Sequence, residues 1–226
     1  YQQKYLSNLL QSIDINNFIF SFGIDEIDYY AGTPKKGDLI LITAESGKGK
    51  SQMLKWIAIS NARKGAKVLH FQLEGTKEEC YEAYDAAWTG SFQVDIENTT
   101  LPQEKLNNII AIASKIQGEI YVECPGQFDS ITCVDIDHKI TELEKIYGKF
   151  QLIVVDYCEL TEPGDGKKYS PKEERFRREA IVNRFKNIAV KHDLILATAT
   201  QATDVIASEK KLPDFVLTRS NISEFK

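Results

Sequence analysis

The stretch ESGKGKS, residues 45–51, has the residue types that hold a phosphate group. Gly47 and Gly49 let backbone N–H groups turn toward phosphate oxygens, Lys50 adds a cation, and the Ser51 hydroxyl is an oxygen ligand of the kind that Mg²⁺ accepts. The pattern G-x-x-x-x-G-K-[ST] is met except at its first position, which is Ala44. The stretch therefore predicts a phosphate loop, and the alternative is an ordinary surface turn before a lysine-rich helix. The residues predicted to bind the phosphates are Ser46, Gly47, Lys48, Gly49, Lys50, Ser51 and Gln52.

Three polar residues elsewhere in the chain stand at the ends of apolar runs. Glu74 ends the apolar run within FQLEG, Asp156 ends the run within LIVVDY, and Gln201 follows LILATAT. If these runs are parallel strands, the three side chains share one edge of the sheet with the phosphate loop, and ligands bind at that edge. A magnesium-dependent nucleotide hydrolase needs an acid at the metal, a base for water and a γ-phosphate sensor. We assign the metal to Ser51 and Asp156, and the catalytic roles to Glu74 as base, Lys50, and Gln201 as sensor. Each acid, taken alone, could instead be a helix cap or a solvated turn residue.

The elements that must position these residues alternate along the chain. Strands are predicted at 38–43, 67–73, 119–123, 150–157 and 193–200. Helices are predicted at 50–65, from Thr76 to about Trp88, from Pro102, at 132–147 and at 172–192. Thr76 and Glu79 have the spacing of a capping box. The alternation predicts an α/β fold with a mostly parallel sheet and helices on both faces.

Composition bounds the class of protein. The chain has 226 residues, is 42% hydrophobic and 27% charged, and carries a net charge of −5. These values indicate one large globular domain and argue against a binder that covers nucleic acid with its whole surface. The four cysteines form no CxxC pair, the three histidines share no ligand spacing, and no apolar run is long enough for a membrane span. We expect a piece of a longer intracellular chain, in the cytoplasm of a cell or of a phage-infected host.

Longer segments carry a family resemblance, from about Phe20 to the end of the chain. They are FSFGIDEIDYYAGTPKKGDLILITAESGKGKS, KVLHFQLEG, IYVECPGQFDSITCVDIDHKI, LIVVDYCEL and ATATQAT. In these segments the chain resembles the ATPase domain of DnaB-type hexameric replicative helicases, which has the RecA-like P-loop NTPase fold. That family commonly has a small non-glycine residue where Ala44 stands, so the resemblance supports phosphate binding by the loop.

The resemblance implies a P-loop ATPase and DNA helicase that uses ATP and Mg²⁺. It further implies a homo-oligomer, a ring of six subunits, with single-stranded DNA in its channel and a primase or a helicase loader as a partner. By the same resemblance, 1–18 is an amphipathic linker helix with its apolar stripe at Leu6, Leu9, Leu10 and Ile13, and 19–226 is the RecA-like ATPase domain. The family's arginine finger and last strands lie beyond its sensor segment, so we expect the C-terminal end of the domain to be missing and nominate no finger residue.

Two basic segments are candidates for contact with DNA. The loop PGDGKKYSPKEERFRR, residues 163–178, follows Asp156 and contains Lys167 and Lys168. Its glycines and prolines indicate a mobile loop, whose lysines could follow a phosphodiester backbone without reading bases. A second candidate is Lys210 with Lys211 in ASEKKLPD. The alternative for both segments is a solvated, charged loop.

Two other functions stay open. A RecA- or RadA-like recombinase would use the same residues in filaments, although the long helical segment after Asp156 favours the helicase. A nucleotide-gated assembly or loader protein would bind ATP with little turnover, and Glu74 argues against it because such a switch needs no base.

Overall fold

Seven strands are present in the computed structural model, which describes residues 18–90, 102–104, 107, 110–111, 117–125 and 131–201. The strands are β1 Leu39–Ala44, β2 Lys67–Gln72, β3 Glu119–Glu123, β4 Ile131–Thr132, β5 Leu152–Asp156, β6 Thr161–Glu162 and β7 Ile195–Gln201. The central sheet has five strands in the order β1-β7-β5-β2-β3, all parallel. The short strands β4 and β6 form a separate parallel pair. All five carboxyl ends of the central sheet therefore lie along one edge.

The middle of the sheet is inaccessible to solvent. Every residue of β5 is buried, and so are the residues of β7 from Ile195 to Thr200. Both strands are nearly continuous apolar or β-branched runs, which is the pattern of parallel strands covered on both faces. The polar side chains at their ends are thereby held on a rigid, buried frame.

In the described parts of the chain, five helices with defined bounds accompany the strands: α1 Asp25–Ala31, α2 Lys50–Arg63, α3 Lys77–Thr89, α4 Cys133–Tyr147 and α5 Glu174–His192. The predicted capping box of α3 is present, because the Thr76 hydroxyl accepts from Glu79 N and the Glu79 carboxylate accepts from Thr76 N. Thr132 and Asp135 form the same motif at the start of α4. None of the helices within the described residues is long and apolar enough to cross a membrane.

The helices cover the sheet from both sides. On one face, Leu54 and Ile57 of α2 and Tyr84 of α3 join the core formed with Val68 and Val154 of the sheet. The core on the other face includes Ile140 of α4, Phe185 of α5, and Leu69 and Ile153 of the sheet. Burial of these two faces against the sheet is the main source of fold stability.

A cation lies between the two tryptophans at the α2–α3 contact. The Arg63 guanidinium carbon is 5.9 Å from the ring centre of Trp56 and 5.4 Å from that of Trp88. The contact between Arg63 and Trp88 is a cation–π interaction that links α2 to α3.

The predicted fold class is confirmed, and the differences lie at element ends and in the short pair of β4 and β6, which was not predicted. The strand predicted over 150–157 is shorter, because Phe150 turns into the core and Tyr157 begins a 3₁₀ turn at Cys158–Leu160. The helix predicted from residue 172 begins at Glu174, after a 3₁₀ turn at Pro171–Glu173. The predicted linker helix lies outside the described residues, as does most of the helix predicted from Pro102.

Candidate functional site

The phosphate loop joins β1 to α2 in the predicted way. Gly47 and Gly49 have φ values of 71° and 81°, which a side chain would strain. Ala44 is the last residue of β1, and Asp193 is the one non-glycine residue with positive φ in the described parts of the chain. The first position of the motif therefore needs no glycine here. The departure from the pattern leaves the turn geometry intact.

The Lys50 side chain points back into the phosphate loop. Its Nζ donates to the carbonyl oxygens of Ala44, at 3.1 Å, and of Glu45, at 2.9 Å, and the residue is 8% exposed. The two carbonyls compensate for the loss of water around the ammonium group. A phosphate placed in the loop would offer oxygens to the same ammonium group.

Ser51 and Asp156 meet across the sheet edge. Ser51 Oγ donates to Asp156 Oδ1 at 2.9 Å, and Asp156 is 2% exposed. Burial raises the pKa of Asp156, and the nearby Glu74 charge raises it further, while the Ser51 hydrogen bond and the charges of Lys55 and Lys50 oppose this rise. A further positive charge bound at this site would therefore stabilise the ionised form of Asp156.

Glu74 lies two residues after the end of β2, close enough to Asp156 for its charge to act on that carboxyl group. The two strands are paired at Gln72 and Asp156, and Leu73 N donates to Asp156 O at 3.1 Å. Glu74 is exposed, so its carboxylate can reach water and an incoming ligand. The Gln72 side chain donates to Glu74 O and fixes the backbone of this turn.

Gln201 ends β7, next to the strand that enters the phosphate loop. It is paired with Ala44 in the ladder between β7 and β1. Its backbone N–H donates to the Glu159 carboxylate at 2.7 Å. The structure therefore places the four elements at the same edge of the sheet: the phosphate loop, Gln201, Asp156 and Glu74.

The side-chain oxygen atoms at this edge suit a magnesium ion whose remaining ligands are phosphate oxygens and water. Mg²⁺ is usually held by one or two protein oxygens together with phosphates and water, and Ser51 with Asp156 supplies such a pair. Across the described residues, no group of three or more His, Cys, Asp and Glu side chains could hold a metal ion. The residues present thus fit a magnesium ion shared with a nucleotide, and do not form an all-protein cage.

The sequence did not reveal two charged residues at this edge. Lys55, one helical turn after Ser51, is 9% exposed, and its charge acts on Asp156 and on the buried His70. Its only signal in the sequence is a lone lysine within the apolar run MLKWIAI. Glu159 contacts Gln201 across 42 residues of sequence, and no local pattern indicates such a contact.

The first pair of predicted DNA contacts, Lys167 and Lys168, lies on a loop that has hydrogen bonds within itself. Lys167 and Lys168 are exposed, at the rim of a cavity that Tyr169 and Arg177 also line. Asp165 accepts from Lys167 N at 3.0 Å and from the Tyr169 hydroxyl at 2.6 Å, so the loop predicted to be mobile has internal hydrogen bonds. Lys210 and Lys211 lie outside the described residues.

Comparisons with known proteins agree on one family. The family model described as DnaB-like helicase C terminal domain matches residues 20–213. The replicative DNA helicase DnaB of Mycoplasma genitalium is 27% identical over 146 residues, which cover 62% of this chain and 30% of the relative. The chain therefore spans less than a third of that relative's length.

Solved structures show the same fold. A DnaB-like replicative helicase, described with its interactions with primase, superposes with a TM-score of 0.74 at 16% identity, over 99% of this chain and 52% of that one. A second solved structure, which is an ATPase domain, superposes with a TM-score of 0.75 at 15% identity, over 100% of this chain and 78% of that one. This chain thus has the same fold as these domains.

Proposed function

The chain belongs to the DnaB-like helicase C-terminal domain family, and from this premise we propose that it is the ATP-hydrolysing motor of a replicative DNA helicase. The observation that carries the proposal is the common edge of four adjacent strands. The phosphate loop follows β1, Gln201 ends β7, Asp156 ends β5 and Glu74 follows β2. These are the parts that phosphoryl transfer to water requires, in neighbouring positions.

Each residue has a task that its surroundings support. The loop amides and Lys50 bind the β- and γ-phosphates, with Lys50 exchanging its two carbonyl partners for phosphate oxygens. Ser51 and Asp156 hold Mg²⁺, which neutralises charge on the phosphates when it is bound. Glu74, exposed beside this pair, accepts the proton of the attacking water.

Gln201 senses the γ-phosphate from the strand next to the loop. Its amide can donate to a phosphate oxygen, and the amide bears no charge of its own that would compete with Lys50. In the proposed assembly, six subunits form a ring, hydrolyse ATP between neighbours and move along single-stranded DNA, with a primase or a loader as a further partner. Family membership favours this reading over a recombinase filament.

Hydrolysis by variants of the full-length protein tests the assignment. Lys50→Ala should abolish turnover and weaken nucleotide binding, because the cation at the phosphates is lost. Glu74→Gln should lower kcat by about 100-fold or more and leave nucleotide affinity nearly unchanged, because the proton acceptor alone is removed.

Glu78→Gln is the matched control, since Glu78 is an exposed acid in the first turn of α3. It should hydrolyse ATP at the wild-type rate. Wild-type turnover by Glu74→Gln would show that the base has been assigned wrongly. Electron microscopy with an ATP analogue and single-stranded DNA separates the two assemblies, because a helicase should show rings and a recombinase filaments.

A further inference from the structure

The Glu159 carboxylate holds the end of the strand that carries Gln201. Its Oε1 atom accepts from Gln201 N at 2.7 Å and also from the Thr200 hydroxyl. Its Oε2 atom accepts from the Cys158 thiol at 3.2 Å. Glu159 belongs to the 3₁₀ turn Cys158–Leu160, directly after the strand that ends at Asp156. A single side chain thus joins the turn behind the metal-binding acid to the last two residues of β7.

The pairing of β7 with its two neighbouring strands explains why its end needs an additional hydrogen-bond acceptor. On the β1 side, β7 is paired as far as Gln201 with Ala44. On the β5 side, the last pair is Val155 with Thr198, because β5 ends one residue later. Backbone donors beyond that point need another acceptor. Glu159 supplies it and extends the hydrogen bonding of the sheet to Gln201.

The turn that bears Glu159 is itself held in place. Arg177, near the start of α5, donates to Glu159 O at 3.3 Å and to Thr161 O at 2.8 Å. The same guanidinium group pairs with Glu174 at 2.7 Å. The backbone of Glu159 is therefore fixed from the far side, so its carboxylate presents a rigid acceptor to β7.

We propose that Glu159 is a positioning residue for the γ-phosphate sensor. By binding the backbone N–H of Gln201, it holds the end of β7 beside the phosphate loop, so that the Gln201 amide is presented to the nucleotide. It acts through Gln201 and does not touch the nucleotide. This inference rests on the proposed function, in which Gln201 contacts the γ-phosphate.

The test compares Glu159→Ala with Glu159→Gln in the full-length protein. Steady-state ATP hydrolysis is measured with and without oligo(dT), alongside binding of a fluorescent ATP analogue and the thermal midpoint. Glu159→Ala should lower kcat by about tenfold, the rate equivalent of losing one hydrogen bond to a carboxylate, with nucleotide affinity nearly unchanged. Glu159→Gln keeps an oxygen acceptor for Thr200 and Gln201, so it should restore most of the rate. A role limited to stability would change the thermal midpoint and leave kcat of the folded protein unaltered.

A double-mutant cycle with Gln201→Ala gives a sharper readout. If Glu159 acts through Gln201, removing both should cost no more than removing Gln201 alone. Losses that multiply would overturn the proposal, as would wild-type kcat in Glu159→Ala or a Gln variant as slow as the Ala variant.

Two further arms keep the test decisive. If Glu159→Ala fails to fold, Glu159→Asp takes its place, because it retains the charge but withdraws the carboxylate from Gln201 N; an unchanged kcat in that variant overturns the proposal. Lys50→Ala is measured in parallel. A wild-type rate no higher than that of Lys50→Ala contradicts the proposed function, whereas an active wild type with an equally active Glu159→Ala contradicts the role of Glu159 alone.

Discussion

Lys50 shows how a single residue is prepared for its task by the fold. Its ammonium group is already within the loop, bonded to the carbonyl oxygens of Ala44 and Glu45. Binding a phosphate therefore requires an exchange of oxygen partners and little movement of the side chain. The limited rearrangement reduces the entropy that nucleotide binding must overcome. The same carbonyls come from the end of β1 and the first loop residue, so the resting position of Lys50 is set by the strand.

His70 gives a prediction at the same scale. It is fully buried on β2, its Nδ1 lies 2.6 Å from the Tyr84 hydroxyl, and burial with the nearby Lys55 charge lowers its pKa from 6.5 to about 3. The unfolded chain takes up a proton below pH 6.5 and the folded chain does not, so stability is fully present above that pH and is lost as the pH falls toward 3. Between about pH 7.5 and 5.5, this histidine should reduce the free energy of unfolding by about 1.4 kcal/mol.

Urea denaturation at the two pH values measures this loss. His70→Gln should have a pH dependence smaller by that amount than the wild type has. His138→Gln, at an exposed position of α4, is measured in parallel as a control for replacing a histidine by glutamine. An equal dependence in wild type and His70→Gln would show that His70 takes up its proton in the folded state.

The positions of the predicted site residues along one edge of the sheet could be inferred from the sequence. Glu74, Asp156 and Gln201 each follow an apolar run, and the carboxyl ends of parallel strands share one edge. Glu159 was not predictable in its contact, because it reaches Gln201 only once β5 and β7 are paired. The burial of Lys55 was not predictable for a similar reason. A lysine on a helix is normally solvated, and the burial of this one depends on the sheet beneath it.

At the scale of elements, local chemistry identified the start of a helix where a capping motif marks it. The Thr76 capping box gave the start of α3, because its hydrogen bonds involve residues close in sequence. The pair formed by β4 and β6 was not predicted, since strands of two residues have no detectable alternation. The end of β5 also depends on where its neighbours stop pairing, which no local pattern records.

The loop between β6 and α5 carries the prediction about DNA. Lys167→Ala with Lys168→Ala should weaken binding of single-stranded DNA. It should also reduce the slope of log affinity against log salt by about 1.4, because two phosphate contacts are lost and each releases about 0.7 counterions. ATP hydrolysis without DNA should change little, because both lysines are exposed on the loop. Fluorescence anisotropy of labelled oligo(dT) over a salt series measures the slope.

Lys36→Ala with Lys149→Ala is the matched control. These lysines are also exposed, but they precede β1 and β5 and so lie at the opposite edge of the sheet. Their removal should leave the slope nearly unaltered. A slope that stays at the wild-type value after loss of Lys167 and Lys168 would remove this loop from the path of the DNA.

For the whole molecule, the prediction concerns assembly. The sheet of the described domain is covered on both faces by its own helices. We therefore expect the apolar stripe of the predicted linker helix to pack on a neighbouring subunit. Deleting residues 1–15 should lower the oligomeric state seen by light scattering at a fixed protein concentration. ATP hydrolysis should fall with it if the site lies between subunits, whereas the fold seen by circular dichroism should survive. Unchanged assembly with a marked loss of thermal stability would mean that the helix packs on its own subunit.

The position of Trp56 and Trp88 beside Arg63 has a consequence for the fluorescence of the protein. The chain contains only 2 tryptophans, and both rings face the same guanidinium group where α2 meets α3. Because α2 starts at the phosphate loop and α3 follows Glu74, all intrinsic tryptophan emission from this chain comes from the contact between these two helices. Because Arg63 and Trp56 both belong to α2, a shift of α2 against α3 on nucleotide binding changes the distance between the Arg63 guanidinium group and the Trp88 indole. The chain thus carries its own fluorophore pair, and excitation near the red edge of protein absorption would follow nucleotide binding without a dye.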